Sequence, residues 1–148
     1  MKRLYTAVAT VTGGRDAGHG RTSDGALEVD LRSPSELGGP GGGTNPEQLF
    51  AIGYAACFES ALKTVARRSD TSADDARIES RVSLVTGPER TFSLAVELDV
   101  SLPSVSDDVA ADLVRAAHAV CPYSNATRGN IEVALSANGQ RVDVAATA

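Results

Sequence analysis

Hydrophobic and polar residues alternate along several stretches of the chain, and this alternation predicts β-strands. In the clearest stretch, residues 92–102, every second side chain is apolar. Shorter stretches of the same kind cover residues 4–11, 27–31 and 78–84. The turn sequence TGPE at 86–89 separates the last of these from 92–102. The two are therefore predicted to form an antiparallel hairpin with one buried face.

A long helix is predicted from residue 46 to about residue 68. Its start can be capped by Asn45, which precedes a proline, or by Thr44 in a capping box with Glu47. Between Phe50 and Phe58 (FAIGYAACF) the helix carries no charge on any side. A helix that is apolar all round is expected to be enclosed by neighbouring elements.

A second helix is predicted to begin at Ser106, because serine is a good N-cap and two aspartates follow it. It should end or kink at Cys121, since a proline disfavours helical geometry in the residue before it. A short helix in PYSNATR, closed by Gly129, and a hairpin through Asn138-Gly139 complete the chain. The expected buried face of the second helix is formed by apolar positions at helical spacing: Val109, Leu113, Ala116, Ala117 and Val120.

The order of these elements predicts the fold class. Strands, helix, strands, helix and strands follow one another, and hairpins take the place of βα alternation, which is typical of an α+β fold with antiparallel sheets around buried helices. The glycine-rich stretches 13–25 and 33–46 are predicted loops. With 148 residues and no repeat or long linker, the chain is expected to form a single domain, 1–148. No GxGxxG or Walker pattern indicates a nucleotide-binding fold.

Charge and composition narrow the function further. The net charge is −5 and no basic stripe is present, which argues against nucleic acid or a membrane as partner. The N-terminal MKRLYTAVATVTGG lacks the apolar core of a signal peptide, and the apolar run at 50–58 is too short to span a bilayer. We therefore expect a cytoplasmic protein, in which a disulfide is more often transient and catalytic than structural.

Cys57 and Cys121 are the only two cysteines. Cys57 lies inside the apolar helix, where a cysteine taken alone is most often a small packing residue. Cys121 precedes a proline at the start of a short helix, a position that can lower the pKa of a thiol. A zinc site with His118 and His19 would match no standard spacing, so no metal is expected and both histidines are expected to be exposed.

A cysteine that reduces peroxides needs a cation that favours its thiolate, an apolar approach and a second thiol that captures its sulfenic acid. Arg15, in a Gly-Gly-Arg turn, is the candidate cation. Glu47, in the first turn of the long helix, can orient an arginine through a bidentate pair. Taken singly, a loop arginine is usually solvated and a glutamate at a helix start is usually a capping group.

Four segments together resemble the organic hydroperoxide resistance proteins, the Ohr branch of the OsmC superfamily. They are LYTAVATVTGGR (4–15), SDGALEVDLRSPSELGG (23–39), TNPEQLFAIGYAACF (44–58) and AHAVCPYSNATRGN (117–130). The resemblance runs over nearly the whole chain in the same order, and the CPYSNAT block favours the Ohr branch over other OsmC-like proteins.

The resemblance implies a thiol peroxidase that reduces organic and fatty-acyl hydroperoxides to alcohols. It gives Cys57 the place of the peroxidatic cysteine and Cys121 that of the resolving cysteine, with which Cys57 forms a disulfide. Arg15 takes the place of the arginine that stabilises the thiolate, and Glu47 that of the carboxylate holding the arginine. It also implies an intertwined homodimer with two active sites at the subunit interface. The implied reductant is a dihydrolipoyl group on a carrier protein, and no cofactor is implied.

Two alternatives stay open at this stage. The first is a dimer without enzymatic activity, whose apolar pocket holds a lipid or small ligand and whose cysteines are inert packing groups. The second is another OsmC-like peroxidase with the same chemistry and a different peroxide preference.

Overall fold

The computed structural model describes residues 1–144, and the chain divides into two compact units, Met1–Leu49 and Phe50–Ala148. The expectation of a single domain spanning 1–148 stays a prediction. The helices and strands confirm the α+β class, and their bounds are as follows: β1 Ala9–Thr12, β2 Gly18–Thr22, β3 Glu28–Leu31, α1 Pro46–Arg68, β4 Arg77–Thr86, β5 Phe92–Ser101, α2 Asp107–Val120, α3 Pro122–Thr127, β6 Glu132–Ala137 and β7 Gln140–Val142.

The first unit contains a three-stranded antiparallel sheet in the order β1-β2-β3. Two predictions made for this region are wrong. The strand expected at 4–11 is confined to β1, and residues 13–25, expected as a loop, contain the central strand β2. The sequence of β2 is GHGRT, which has no apolar side chains to alternate, so its pairing depends on backbone hydrogen bonds that a hydrophobic pattern does not reveal.

Helix α1 has the predicted bounds, Pro46–Arg68. Of the two caps considered, the structure uses Asn45: its Oδ1 accepts from the Gln48 backbone N–H at 2.9 Å, and the Gln48 side chain accepts from the Asn45 N–H at 3.3 Å. Within the single chain α1 is not enclosed on all sides, so its enclosure by a partner subunit stays a prediction. Tyr54 and Phe58 are fully buried, but Ile52, on a different face of the helix, is 70% exposed.

Within residues 1–144, α1 is the one helix whose length and composition would allow it to cross a membrane. The apolar segment 50–58 alone is too short to span a bilayer, but the whole helix is long enough. The core helices of soluble proteins have the same properties, and Tyr54, Phe58 and Leu62 of α1 lie in the hydrophobic core of the second unit.

The second unit contains a four-stranded sheet in the order β4-β5-β6-β7. The β4–β5 hairpin is confirmed, with Thr86 opposite Phe92, and so is the β6–β7 hairpin, whose turn residues Asn138 and Gly139 have φ values of 48° and 80°. The expectation of a wholly antiparallel sheet is wrong, because β5 and β6 pair in parallel. A parallel pair needs a long crossover connection, and α2 and α3 supply it.

Helix α2 begins as predicted at Ser106, whose side chain accepts from the Val109 N–H. Of the five positions predicted to be buried, Leu113 and Ala117 are confirmed, whereas Val109, Ala116 and Val120 are exposed. The buried side chains form a stripe at spacings of three and four residues, of which the prediction lacked Ala110, Val114 and His118.

Candidate active site

The two cysteines of the second unit meet between α1 and the corner that joins α2 to α3. Cys121 ends α2, donates its N–H to the Ala117 carbonyl at 2.9 Å, and is followed by Pro122 at the start of α3. Its Sγ lies 3.6 Å from the Cys57 Sγ, and both residues are free thiols. A disulfide requires about 2.05 Å between the sulfurs, so the pair is reduced and in direct contact.

The two thiols differ in exposure. Cys121 is fully buried, whereas Cys57 is partly exposed. Burial raises the pKa of the Cys57 thiol; a hydrogen bond from the Tyr123 backbone N–H lowers it, and the contact with Cys121 raises it. The net effect is a raised pKa, so Cys57 ionises less readily than an exposed thiol, and a nearby positive charge would favour its thiolate.

A surface groove of about 410 Å³ reaches Cys57. Ala61, Val120 and Pro122 give it apolar walls, and Arg68 contributes to its lining. Ser60 and Thr64 also line it, but their hydroxyls donate to carbonyls of α1 at 2.9 and 2.8 Å. A small apolar molecule can therefore approach Cys57 along this groove.

Arg15 and Glu47 meet within the first unit. The Arg15 Nη2 donates to Glu47 Oε1, and the side chains are 32% and 14% exposed. The turn that contains Arg15, residues 13–18 (the Arg15 turn), requires glycine at both ends, since Gly13 has a φ of 75° and a Cβ on Gly18 would overlap the carbonyl oxygen of Gly14.

The four residues singled out from the sequence thus form two contacts, Arg15 with Glu47 and Cys57 with Cys121, each inside one unit. The sequence reasoning missed Tyr54 and the hydroxyl residues of α3, which hydrogen-bond beside the thiols. The sequence did contain a signal for Tyr54: it lies one helical turn before Cys57, on the same face of the predicted helix.

The two histidines differ from each other. His19 is exposed as expected and contacts Asp30 and Glu28, and the hydrogen bond to Asp30 is the main reason that its pKa is raised. The expected exposure of His118 is wrong: it is 9% exposed, and its Nδ1 has no hydrogen-bond partner among the described residues. Burial, and then the charge of Arg128, lowers the pKa of His118.

The fold and the site define a class: small α+β proteins in which a partly exposed thiol on a central helix touches a buried one. The family model described as OsmC-like protein matches residues 39–136. An organic hydroperoxide resistance protein of Xanthomonas axonopodis pv. citri is 51% identical over 91% of this chain and 95% of its own.

Solved structures agree with this. An organic hydroperoxide resistance protein from Legionella pneumophila, 53% identical, superposes with a TM-score of 0.87 over 92% of this chain and 98% of its own. A putative one from Vibrio cholerae, with captopril bound in one of the active sites, is 43% identical and superposes with a TM-score of 0.89 over 95% of this chain and 96% of its own. The chain belongs to the OsmC-like family and, within it, to the organic hydroperoxide resistance proteins.

Proposed function

We propose that this protein is a thiol peroxidase that reduces organic hydroperoxides, alkyl and fatty-acyl, to alcohols. The observation that carries the proposal is the contact of 3.6 Å between a partly exposed Cys57 Sγ and a buried Cys121 Sγ. This asymmetry suits a two-cysteine peroxidase, in which the accessible sulfur meets the peroxide and the neighbouring one captures its sulfenic acid. Its relatives are named organic hydroperoxide resistance proteins, which supports the substrate class.

The reaction has two steps before the enzyme disulfide is reduced again. The Cys57 thiolate attacks the outer oxygen of the hydroperoxide, the O–O bond breaks, and the leaving alkoxide takes a proton to become the alcohol. The oxidised sulfur is now a sulfenic acid. The Cys121 sulfur attacks it, the S–O bond breaks, and water leaves as the disulfide forms.

Arg15 and Glu47 are proposed to support the first step. The raised pKa of Cys57 means that its thiolate must be stabilised by a cation, and Arg15 is the proposed one. Glu47 orients the guanidinium by accepting its hydrogen bond, which supports a fixed rather than a freely solvated arginine.

Recycling is proposed to use a dihydrolipoyl dithiol, as a free amide or on a carrier protein. One thiol of the reductant opens the disulfide and its second thiol releases the enzyme, so the enzyme regains two thiols and the reductant becomes a cyclic disulfide. The groove at Cys57 supports access by such a small dithiol. The captopril in the Vibrio cholerae relative also supports a site open to small organic molecules.

The active form is proposed to be a cytoplasmic homodimer that needs neither nucleic acid nor membrane. The exposed Ile52 on α1 supports a partner subunit, since a large apolar side chain gains free energy when an interface covers it. Light scattering coupled to gel filtration tests this, and a monomer at micromolar concentration would contradict it.

The activity is tested by adding one equivalent of cumene hydroperoxide to the reduced protein and measuring its intact mass. We expect the loss of two hydrogens, a Cys57–Cys121 peptide on digestion, and one equivalent of cumyl alcohol. An unchanged mass with two free thiols would instead support a non-enzymatic binding protein. Repeating the experiment with hydrogen peroxide tests the preference, because an apolar groove favours the bulky peroxide.

A further inference from the structure

Two contacts of different chemistry join α1 to α3 and its N-cap residue, Cys121. The first is the contact between the Cys57 and Cys121 sulfurs at 3.6 Å. The second lies three residues before Cys57 and three residues after Cys121, where the Tyr54 hydroxyl is 3.0 Å from the Ser124 Oγ. Tyr54 and Cys57 share a face of α1, and Ser124 lies in the first turn of α3 next to its N-cap Cys121, so the hydroxyl contact and the sulfur contact are neighbours.

The hydroxyl contact belongs to a buried network. Tyr54 and Ser124 are fully buried, and the Tyr54 hydroxyl is also 3.3 Å from Thr127 Oγ1, which donates to the Tyr123 carbonyl at 2.9 Å. If the Ser124 hydroxyl donates to Tyr54 and the Tyr54 hydroxyl donates to Thr127, each of the three hydroxyl protons makes one hydrogen bond. Burial raises the pKa of Tyr54, which keeps the phenol protonated for this role. A buried network with every donor satisfied holds one geometry.

Aromatic packing fixes the same contact from the other side. The Tyr123 ring lies against α1 at Gly53, where a Cβ would come within 2.9 Å of the Tyr123 hydroxyl. Its centroid is 5.6 Å from that of Tyr54 and 5.8 Å from that of Phe50. Helix α3 therefore docks on α1 through specific contacts.

We propose that Tyr54 and Ser124 are positioning residues, which hold Cys121 within reach of Cys57 for the step that forms the disulfide. Cys121 joins α2 to α3: its N–H is bonded to the Ala117 carbonyl of α2, and on its other side α3 has six residues, too few to be stable without docking, so the docking of α3 on α1 constrains the Cys121 sulfur from that side. The sulfurs need to approach only from 3.6 Å to bonding distance while α3 stays docked. This inference deepens the proposed function and rests on it.

A chromogenic aromatic disulfide separates the two steps without any peroxide. The partly exposed Cys57 attacks the reagent as its thiolate, forms a mixed disulfide and releases one coloured thiolate. Cys121 then attacks the Cys57 sulfur of the mixed disulfide and releases the second coloured thiolate as the protein disulfide forms. The first phase depends on reagent concentration, whereas the second does not.

In Tyr54→Phe and in Ser124→Ala, we expect the first phase to stay within about twofold of the parent rate. The second phase should slow about fivefold or more, the loss expected from one buried hydrogen bond. The double variant should be no slower than the slower single variant, because both changes break the same contact. Two control variants should leave both phases unchanged: Tyr5→Phe, at an exposed tyrosine, and Ser80→Ala, whose buried hydroxyl has no partner among the described residues.

Three results would overturn the proposal. They are an unchanged second phase in Tyr54→Phe, equal slowing of both phases, and additive effects in the double variant. Near-ultraviolet circular dichroism checks that each variant is folded. If Tyr54→Phe does not fold, Ser124→Ala decides the question. If neither folds, the pair is structural and the positioning role is wrong.

A peroxide experiment distinguishes this result from the proposed function. With excess cumene hydroperoxide, slower disulfide formation should leave more Cys57 as sulfinic acid in Tyr54→Phe than in the parent protein. If the parent protein is not oxidised by the peroxide at all, the proposed function fails. The two phases with the aromatic disulfide still decide the positioning role.

Discussion

The thiol contact of the second unit and the Arg15 turn of the first are held in different ways. Around Cys57 and Cys121 the structure places fully buried side chains and hydroxyl hydrogen bonds. Arg15 is held by its ion pair with Glu47, and the next residue, Asp16, accepts a hydrogen bond from the Ser33 hydroxyl. The sulfur geometry is thus part of the core, whereas the proposed cation depends on a few polar contacts of a surface turn.

The two regions are suited to different parts of the proposed reaction. Core packing is suited to the step that needs two atoms at a fixed separation, because close-packed side chains leave little freedom. An ion pair at a partly exposed turn is suited to tuning charge, since its strength varies with solvent exposure and salt. The two regions should therefore respond differently to mutation, pH and ionic strength.

Removing either sulfur should have the largest effect. Cys57→Ser is expected to abolish peroxide reduction, because Cys57 lines the groove and Cys121, the other cysteine, is buried. Cys121→Ser should allow one oxidation of Cys57 and then fail to cycle with a dithiol. Rates of hydroperoxide consumption with dihydrolipoamide measure both. Full activity in Cys57→Ser would show that the assignment of roles is wrong.

Adding a side chain in the Arg15 turn should have the next largest effect, and this effect is on the stability of the fold. In Gly18→Ala the new Cβ would overlap the Gly14 carbonyl, and the backbone must shift, so we expect a loss of about 2–3 kcal/mol in the free energy of unfolding. Gly14→Ala is the matched control: its φ is 62° and no described atom lies within 4 Å of the Cβ, so only about 1 kcal/mol of strain is expected. Equal losses in urea titrations would contradict the close approach.

Removing the proposed cation should slow the first step without affecting the second. In Arg15→Ala we expect oxidation of Cys57 at neutral pH to slow about ten- to a hundredfold, because an opposite charge favours ionisation. Since burial already raises the pKa of Cys57, loss of the cation should move the pH profile of this rate to still higher pH. The deficit should then shrink in alkaline solution.

Stopped-flow measurements of thiol oxidation across pH check this prediction. Arg21→Ala is the control, because Arg21 is an exposed arginine that pairs with Glu28 at 3.8 Å. Arg15→Lys keeps a charge but loses the planar guanidinium, so it should recover part of the rate. A profile for Arg15→Ala with the parent's midpoint would argue against a role in thiolate stabilisation.

The smallest effects, of opposite sign, should come from the two histidines. Burial lowers the pKa of His118 below 6.5, so its contribution to stability is present above pH 6.5 and is lost as the pH falls through the lowered pKa. The contact with Asp30 raises the pKa of His19, so its contribution is present below pH 6.5 and is lost as the pH rises through the raised pKa.

Unfolding free energies of His118→Gln and His19→Gln, measured from pH 5 to 8, test this pair of signs. Relative to the parent, His118→Gln should become less destabilising in acid and His19→Gln less destabilising in alkali. Ionic strength is a second control, because the exposed His19 contacts should weaken with salt. The same pH trend in both variants would contradict the assigned environments.

Elements with a strong periodic or capping signal were predictable from the sequence. The bounds of α1, the Ser106 cap, the break at Pro122 and both hairpins of the second unit follow from local chemistry. Strand β2 was missed because glycine, histidine and arginine give no alternating pattern. The buried face of α2 was also misjudged, since a histidine occupies one of its buried positions.

For the site, the sequence predicted which side chains are candidates for chemistry and, through resemblance, which roles to expect for Arg15, Glu47, Cys57 and Cys121. Tertiary structure alone decided that β5 and β6 run parallel, that the two sulfurs touch, and that Tyr54 and Ser124 bond beside them. The physical reason is distance along the chain. Periodicity and caps act within a few residues, whereas these contacts join residues that only the packing of α1, α2 and α3 brings together.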